Sequence, residues 1–173
     1  MQGRRDIPLN ARGRDEARRN GEVLARVMPQ ALAFDFAASP LGRARQTMEI
    51  LRGAMGLAPE DYRIDHGLVE ITFGEWEGFT LEELSAKAAQ AVAAREADKW
   101  NFVPPGGESY AMLSERVEKW VASIGTDIVA VSHGGIARCL RGILTPIERA
   151  EIPLLPAPQD RILVFQAGAF AWH

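Results

Sequence analysis

The stretch Asp127-Ile-Val-Ala-Val-Ser132, followed at once by His133-Gly134-Gly135, constrains the fold more than any other part of the chain. Its central residues are all apolar, without the alternation of a strand that has one wet face. Such a run marks a strand covered on both faces, the habit of parallel sheets held between helices. It stops at a histidine and two glycines and gives way to Ile136–Leu144, an apolar-periodic helix. A buried strand turning straight into a helix is the repeating unit of an α/β fold. Ligands in such folds bind at the carboxyl ends of the strands.

A second junction of the same kind lies upstream. Leu32, Phe34 and Phe36 alternate in a predicted strand over 32–39, which runs into a helix. There Ser39 is placed as the N-cap and Pro40 at N1, with Leu41, Ala44, Met48, Leu51 and Met55 as the buried stripe and Gly56 as the stop. Before it, Asp6-Ile7-Pro8-Leu9 reads as a turn. Asn10 caps a helix over 11–28 that carries Ala17, Gly21, Leu24 and Met28 on one face. Residues 57–79 look irregular apart from an extended piece near Tyr62–Ile64. A helix over 81–97, the turn Val103–Ser109, a helix capped by Ser109 and bearing Tyr110, Leu113, Val117, Trp120 and Ile124, and a last strand over 161–168 complete the pattern. The expected architecture is a three-layer α/β/α sandwich with a mostly parallel central sheet, formed as one domain over residues 1–173.

Composition narrows the function classes. A net charge of −3 gives no bulk attraction to nucleic acid or to an anionic membrane, so neither is expected as a partner. No apolar run reaches the ~18 residues of a membrane span, and the opening residues do not read as a signal peptide, so a cytoplasmic protein is expected. Cys139 is the only cysteine, which excludes an internal disulfide and reads as a packing residue. Lysine occurs only at Lys87, Lys99 and Lys119, and the remaining basic residues are arginines. That bias fits bidentate recognition of carboxylate or phosphate, and it fits equally a GC-rich genome.

The two junctions supply the candidate residues. Arg43 falls in the first turn of its helix, near free N–H groups and the positive dipole end, a setting suited to phosphate. Arg45 and Arg52 are placed on the solvated face. His133 sits on the rim where its strand ends, and Gly134 lets backbone N–H groups approach a ligand without a Cβ in the way. His66 and His173 have no such setting. Of Glu70, Glu75 and Glu77 in "LVEITFGEWEG", one carboxyl held among apolar neighbours would have a raised pKa and serve as a general acid; alternatively, all three are solvated. No cluster has metal-ligand spacing, and neither a nucleophile elbow nor a phosphate-binding GxxxxGK[ST] loop occurs, so no cofactor or metal is expected.

"QGRRDIPLNARGRDEA", "SPLGRARQT", "LVEITFGEWEG", "PPGGES" and "VSHGG" occur in this order, and over most of residues 2–140 the chain resembles the histidine phosphatase superfamily, the phosphoglycerate-mutase-like proteins. The resemblance implies attack on phosphorus by a histidine in an Arg-His-Gly motif. It also implies Arg43 and His133 as ligands of the phosphoryl oxygens, Glu70 as proton donor to the leaving group, and Gly3 near the substrate. His133 would be protonated, and burial against Phe73 and Trp76 would keep the proton on Glu70. The partner would be a small phosphorylated substrate or free phosphate, with a homodimer left open.

The sequence contains no Arg-His-Gly. In the family that motif closes the first strand, ahead of the segment matched by "QGRRDIPL". About 15–20 residues are therefore expected to be missing from the front, belonging to a longer parent protein. The family's strand there is central, and His66, which precedes a loop, cannot replace its histidine. The short region between Glu70 and Ser109 leans toward a phosphatase rather than a mutase, with the α-ribazole phosphatase branch as one candidate. A catalytically inactive phosphate-ligand or protein-binding module of the same fold is the alternative.

Overall fold

Asn10 does cap the first helix: its side chain accepts the Gly13 N–H, and α1 runs Ala11–Val27 with Ala17, Gly21 and Leu24 buried. The computed structural model describes residues 1–166 and 168–173. After α1 the chain makes a 3-10 helix, Pro29–Ala33, where a strand had been expected to begin. Pro29 has no N–H for a ladder and presets a helical φ, so the strand β1 is only Asp35–Ala38.

The helix α2 spans Gly42–Ala54. Its N-cap is Leu41 rather than Ser39, and no side chain of its own caps it. The cap comes from Asp6, whose carboxylate accepts the Gly42 N–H at 2.7 Å and the Arg43 N–H at 3.4 Å. This frees Ser39 for another partner. The chain then continues through β2 (Arg63–Ile64) and α3 (Leu81–Ala97), which carries a Thr80–Glu83 capping box and a kink at Ala88. Next come α4 (Tyr110–Ala122, capped by Ser109), β3 (Ile128–Val131) and α5 (Gly134–Leu144), whose N-cap is His133.

β1 lies at the centre of a three-stranded parallel sheet of order β2-β1-β3. Strand alternation sends Ala37 to one face, among Leu113 and Val117 of α4 and Ile136 and Cys139 of α5. Phe36 and Ala38 point to the other, among Leu24 of α1 and Met48 and Leu51 of α2. Helices thus cover both faces, and the three-layer α/β/α architecture follows. The last strand does not join this sheet. β4 (Leu163–Gln166) forms an antiparallel hairpin with β5 (Ala169–Trp172), a strand the sequence pattern had not marked. Arg52, expected in solvent, is buried: its guanidinium lies 4.3 Å from the Phe36 ring centroid and donates to the Ala58 carbonyl.

No helix among the described residues is long and apolar enough to cross a membrane.

The α1–α2 contact is made at Gly21, where a Cβ would fall 2.4 Å from the Leu51 carbonyl oxygen and 2.8 Å from Ala54 Cβ. Alanine is intrinsically the better helix former by about 1 kcal/mol, but overpacking two helix backbones costs ~1–3 kcal/mol. Gly21→Ala is therefore expected to lower the midpoint of chemical denaturation. At Gly53 of α2 an added Cβ meets only Pro59, at 3.8 Å. Gly53→Ala should raise the midpoint, and the opposite signs in one denaturation series check the packing.

Candidate active site at the carboxyl ends of β1 and β3

Parallel pairing of β1 with β3 in the register Ala38↔Val131 brings the ends of both strands together. Ser39, fully buried, follows Ala38; its N–H donates to the Val131 carbonyl at 3.0 Å. Its hydroxyl lies 2.7 Å from His133 Nε2. Either tautomer of the ring satisfies this contact, since a hydroxyl both donates and accepts. Burial, then the positive charge of Arg43, push the His133 pKa down to about 3. The imidazole is neutral at pH 7, against the expectation of a protonated one.

Arg43 leaves the first turn of α2 and reaches back over the N-terminal turn. Its Nη1 donates to the Arg5 carbonyl at 2.8 Å and its Nη2 to the Gly3 carbonyl at 2.9 Å, with Asp6 Oδ1 3.8 Å away. Because the helix N–H groups are taken by Asp6, the anion-binding capacity expected of that helix end resides in the guanidinium. Two carbonyls engage two of its five N–H groups and fix the plane of the fork.

Glu70 is brought in from the loop after β2. Its Oε1 accepts the Ile71 N–H at 2.9 Å and the Gly135 N–H at 3.1 Å. The carboxylate can lie there only because residue 135 is glycine: a Cβ would sit 2.5 Å from Glu70 Oε1 and 3.1 Å from the Leu113 side chain. Burial raises the Glu70 pKa despite the N–H donors and the charges of Arg43 and Arg138. The burial does not come from Trp76, which packs with Leu84 and Val92 in a separate cluster. It comes from the position over Gly135, where Leu113 and Ile71 also converge.

Gly3, Arg43, Glu70, His133 and Gly134 all line one cavity of about 1130 Å³. His66 and His173 do not line it and are exposed, while Cys139 is buried. Among the described residues no group of three or more His, Cys, Asp or Glu side chains could hold a metal ion.

Sequence reasoning missed the scaffold around these groups. Glu77 Oε1 accepts the Arg4 N–H, the Thr72 hydroxyl and the Phe73 N–H at 2.9–3.1 Å. Burial pushes its pKa up, but these donors and the Arg4 charge outweigh it and hold the carboxyl below the ordinary value. Glu77 thus anchors the turn whose Gly3 carbonyl orients Arg43. Glu108 takes a bidentate pair of bonds from Arg116, at 3.2 and 3.0 Å, and lies 3.4 Å from Arg4. Arg4 also donates to the Glu70 carbonyl. The sequence signal for Glu77 was its place beside Gly78, a residue with φ +91°; for Glu108 and Arg116 there was none.

A half-buried acid, a clamped arginine and a histidine meet at the carboxyl edge of the parallel sheet, where α/β proteins bind their ligands. A family model for branch 1 of the histidine phosphatase superfamily matches residues 1–171, and the chain belongs to that superfamily. It is 32% identical over 169 residues to a glucosyl-3-phosphoglycerate phosphatase of Mycobacterium tuberculosis, covering 90% of this chain and 72% of that protein. It is 30% identical over 175 residues to a 2,3-bisphosphoglycerate-dependent phosphoglycerate mutase of Methylobacterium radiotolerans, covering 96% and 81%. The solved α-ribazole phosphatase of Shigella flexneri shares the fold, with a TM-score of 0.81 at 24% identity over 100% of this chain and 86% of that one.

The depressed pKa of His133 has a measurable consequence. The unfolded histidine takes a proton near pH 6.5 and the folded one only near 3, so between these values the unfolded state binds more protons and stability falls as pH falls. Glu70, with its pKa raised in the fold, works in the opposite direction. Comparing wild type with His133→Gln therefore isolates the histidine. The variant is expected to lose less stability between pH 7 and pH 4. Equal losses in chemical denaturation would show a solvated ring.

Proposed function

We propose that the protein is a metal-independent phosphatase that hydrolyses a small phosphate monoester through a phosphohistidine, in a form that carries the family's Arg-His-Gly motif. The observation that supports this best is Glu70, a carboxyl with a raised pKa that shares one cavity with Arg43 and His133.

In the proposed reaction, a neutral imidazole attacks phosphorus, the P–N bond forms, and the P–O ester bond breaks. Charge spread over the equatorial oxygens is held by the Arg43 fork, by a donor from His133, and by the Gly134 N–H in the first turn of α5. Glu70 gives its proton to the departing oxygen. The Glu70 carboxylate then takes a proton from water as that water attacks phosphorus. The P–N bond breaks, releasing phosphate and restoring both groups. The ionic donors that a metal would otherwise supply are side-chain and backbone groups.

Identity at similar levels to a phosphatase and to a mutase does not separate the two activities. The short segment between Glu70 and Ser109 favours transfer to water, and the substrate class is a phosphate monoester on a small organic alcohol. A second reading, a phosphate-binding module without turnover, draws on the absence of Arg-His-Gly from the 173 residues.

In a form that includes Arg-His-Gly, Glu70→Gln is expected to lower turnover of alkyl phosphates by roughly 10²–10⁴-fold, the usual worth of a general acid. An activated aryl phosphate, whose leaving group needs little protonation, should suffer less. Equal losses would assign Glu70 to binding or folding, and no turnover at all would favour the module. The 173-residue chain alone is expected to neither turn over aryl phosphate nor form an acid-labile phosphohistidine. Turnover by that chain that disappears in His133→Ala would make His133 the nucleophile.

A further inference from the structure

The His133 ring, neutral at pH 7 because burial and then Arg43 push its pKa down to about 3, has one proton for two nitrogens. The contact between the Ser39 hydroxyl and Nε2, 2.7 Å long, taken alone admits either placement. The surroundings of the hydroxyl do not. Asp6 caps α2, so the Ser39 side chain is released from that helix end. Ser39 is fully buried, and water reaches neither its oxygen nor its hydrogen. Among the described residues its Oγ has two polar neighbours, the Leu41 N–H, which donates to it at 3.4 Å, and His133 Nε2. The first is itself a donor. The hydroxyl hydrogen therefore has one acceptor within reach, the Nε2 lone pair. A proton on Nε2 would instead direct two N–H groups at Oγ and leave the serine's own hydrogen unpaired inside the fold.

The other ring nitrogen is in the opposite situation. His133 is the N-cap of α5, where a side chain commonly accepts an N–H of the first turn, yet it accepts none. The Gly135 N–H there goes to Glu70. Among the described residues, the side-chain nitrogen or oxygen sealed from solvent without a partner is Arg141 Nε. Nδ1 of His133, which has no protein partner, is therefore open, and the ring lines the cavity that Arg43, Glu70 and Gly134 share. Nothing in the fold calls for a lone pair at Nδ1.

We propose that Ser39 is a positioning residue that holds His133 as its Nδ1–H tautomer, so that an uncharged ring presents a hydrogen-bond donor to the cavity. The same arrangement withholds both lone pairs from a ligand. Nε2 is engaged by Ser39, and Nδ1 carries the proton, so the neutral ring offers no nucleophilic nitrogen. Only the nature of the acceptor, an oxygen of a phosphoryl group, rests on the proposed phosphatase reading.

The test is 15N NMR at pH 7 on the 173-residue protein labelled at histidine, with His133→Gln to assign the ring signals. Couplings from the carbon-bound ring protons to the two nitrogens distinguish the tautomers. Wild type is expected to show a protonated Nδ1 and a bare Nε2. A protonated Nε2 would overturn the proposal without recourse to any Ser39 variant. In Ser39→Ala the ring is expected to lose its single tautomer, and both nitrogen signals should move toward an average. An unchanged Nδ1–H ring in the folded variant would assign the tautomer to the rest of the pocket and would also overturn the proposal. Ser39→Thr keeps the hydroxyl and should restore the wild-type pattern, which a packing defect alone would not do. Inorganic phosphate is the probe for the donor's partner. Its addition should shift the Nδ1 signal, with a Kd roughly threefold to tenfold weaker in Ser39→Ala. An Nδ1–H ring that phosphate leaves unmoved would count against the phosphatase reading while the role of Ser39 stands.

Discussion

The parallel pairing of β1 with β3 is the constraint on which the site depends. Sheet geometry fixes neighbouring strands ~4.8 Å apart and in register, so the residues that leave their ends are placed by the backbone and not by their own preferences. The Ser39 hydroxyl meets His133 Nε2 at 2.7 Å because Ala38 lies opposite Val131. A slip of one residue would turn Phe36 and Ala38 out of the α1–α2 core, so burial on both faces enforces the register that the chemistry requires. Core packing and site geometry are here one constraint.

Around this fixed pair, the other groups are held by carboxylates that serve as anchors. Asp6 caps α2, Glu77 joins the N-terminal turn at Arg4 to Thr72 and Phe73, and Glu108 takes the Arg116 fork. Asp6 and Glu108 each tie a loop to a helix of the sandwich, and Glu77 ties two loops together. Glu70 is the exception. Its partners are two backbone N–H groups, and burial dominates its proton affinity. Two glutamates seven residues apart thus have pKa values displaced in opposite directions, by solvation in one case and by donors in the other. Environments that push two carboxyls apart in this way are how one site separates an acid from an anchor.

The layers of the fold were legible because hydrophobic period reports directly on burial. The apolar run at 127–132 and the stripes of α1, α2 and α4 each found their predicted faces. What escaped was settled by contacts between distant segments. Ser39 looked like a cap in its own neighbourhood, but Asp6, far off in sequence, took that position, and Ser39 turned to His133. Arg52 looked solvated until Phe36 and the Ala58 carbonyl came within reach. The hairpin strand β5 carries only four residues, three of them exposed, too short for a periodic signal. At the site, Arg43, His133 and Gly134 were legible from the two strand-to-helix junctions, whereas the choice of Glu70 among three carboxyls and the place of Gly3 came from the resemblance to the family. The displaced pKa values of Glu70 and His133, by contrast, follow first from burial that no motif encodes.

That charge balance bears on how an anion would be held. With His133 neutral, the positive charge of Arg43 is, after burial, the next largest of the three effects that hold its pKa down, ahead of Arg116 and against Asp6. A dianion placed between Arg43 and His133 would offset the Arg43 charge and add attraction for a proton on the ring, so both changes would raise the His133 pKa together. Burial opposes this but does not depend on the ligand. Under the proposed reading, the clamped guanidinium of Arg43 and an imidazole whose protonation is coupled to the ligand would hold the phosphate together. The second positive group would then arise only where and when phosphate supplies the charge to stabilise it.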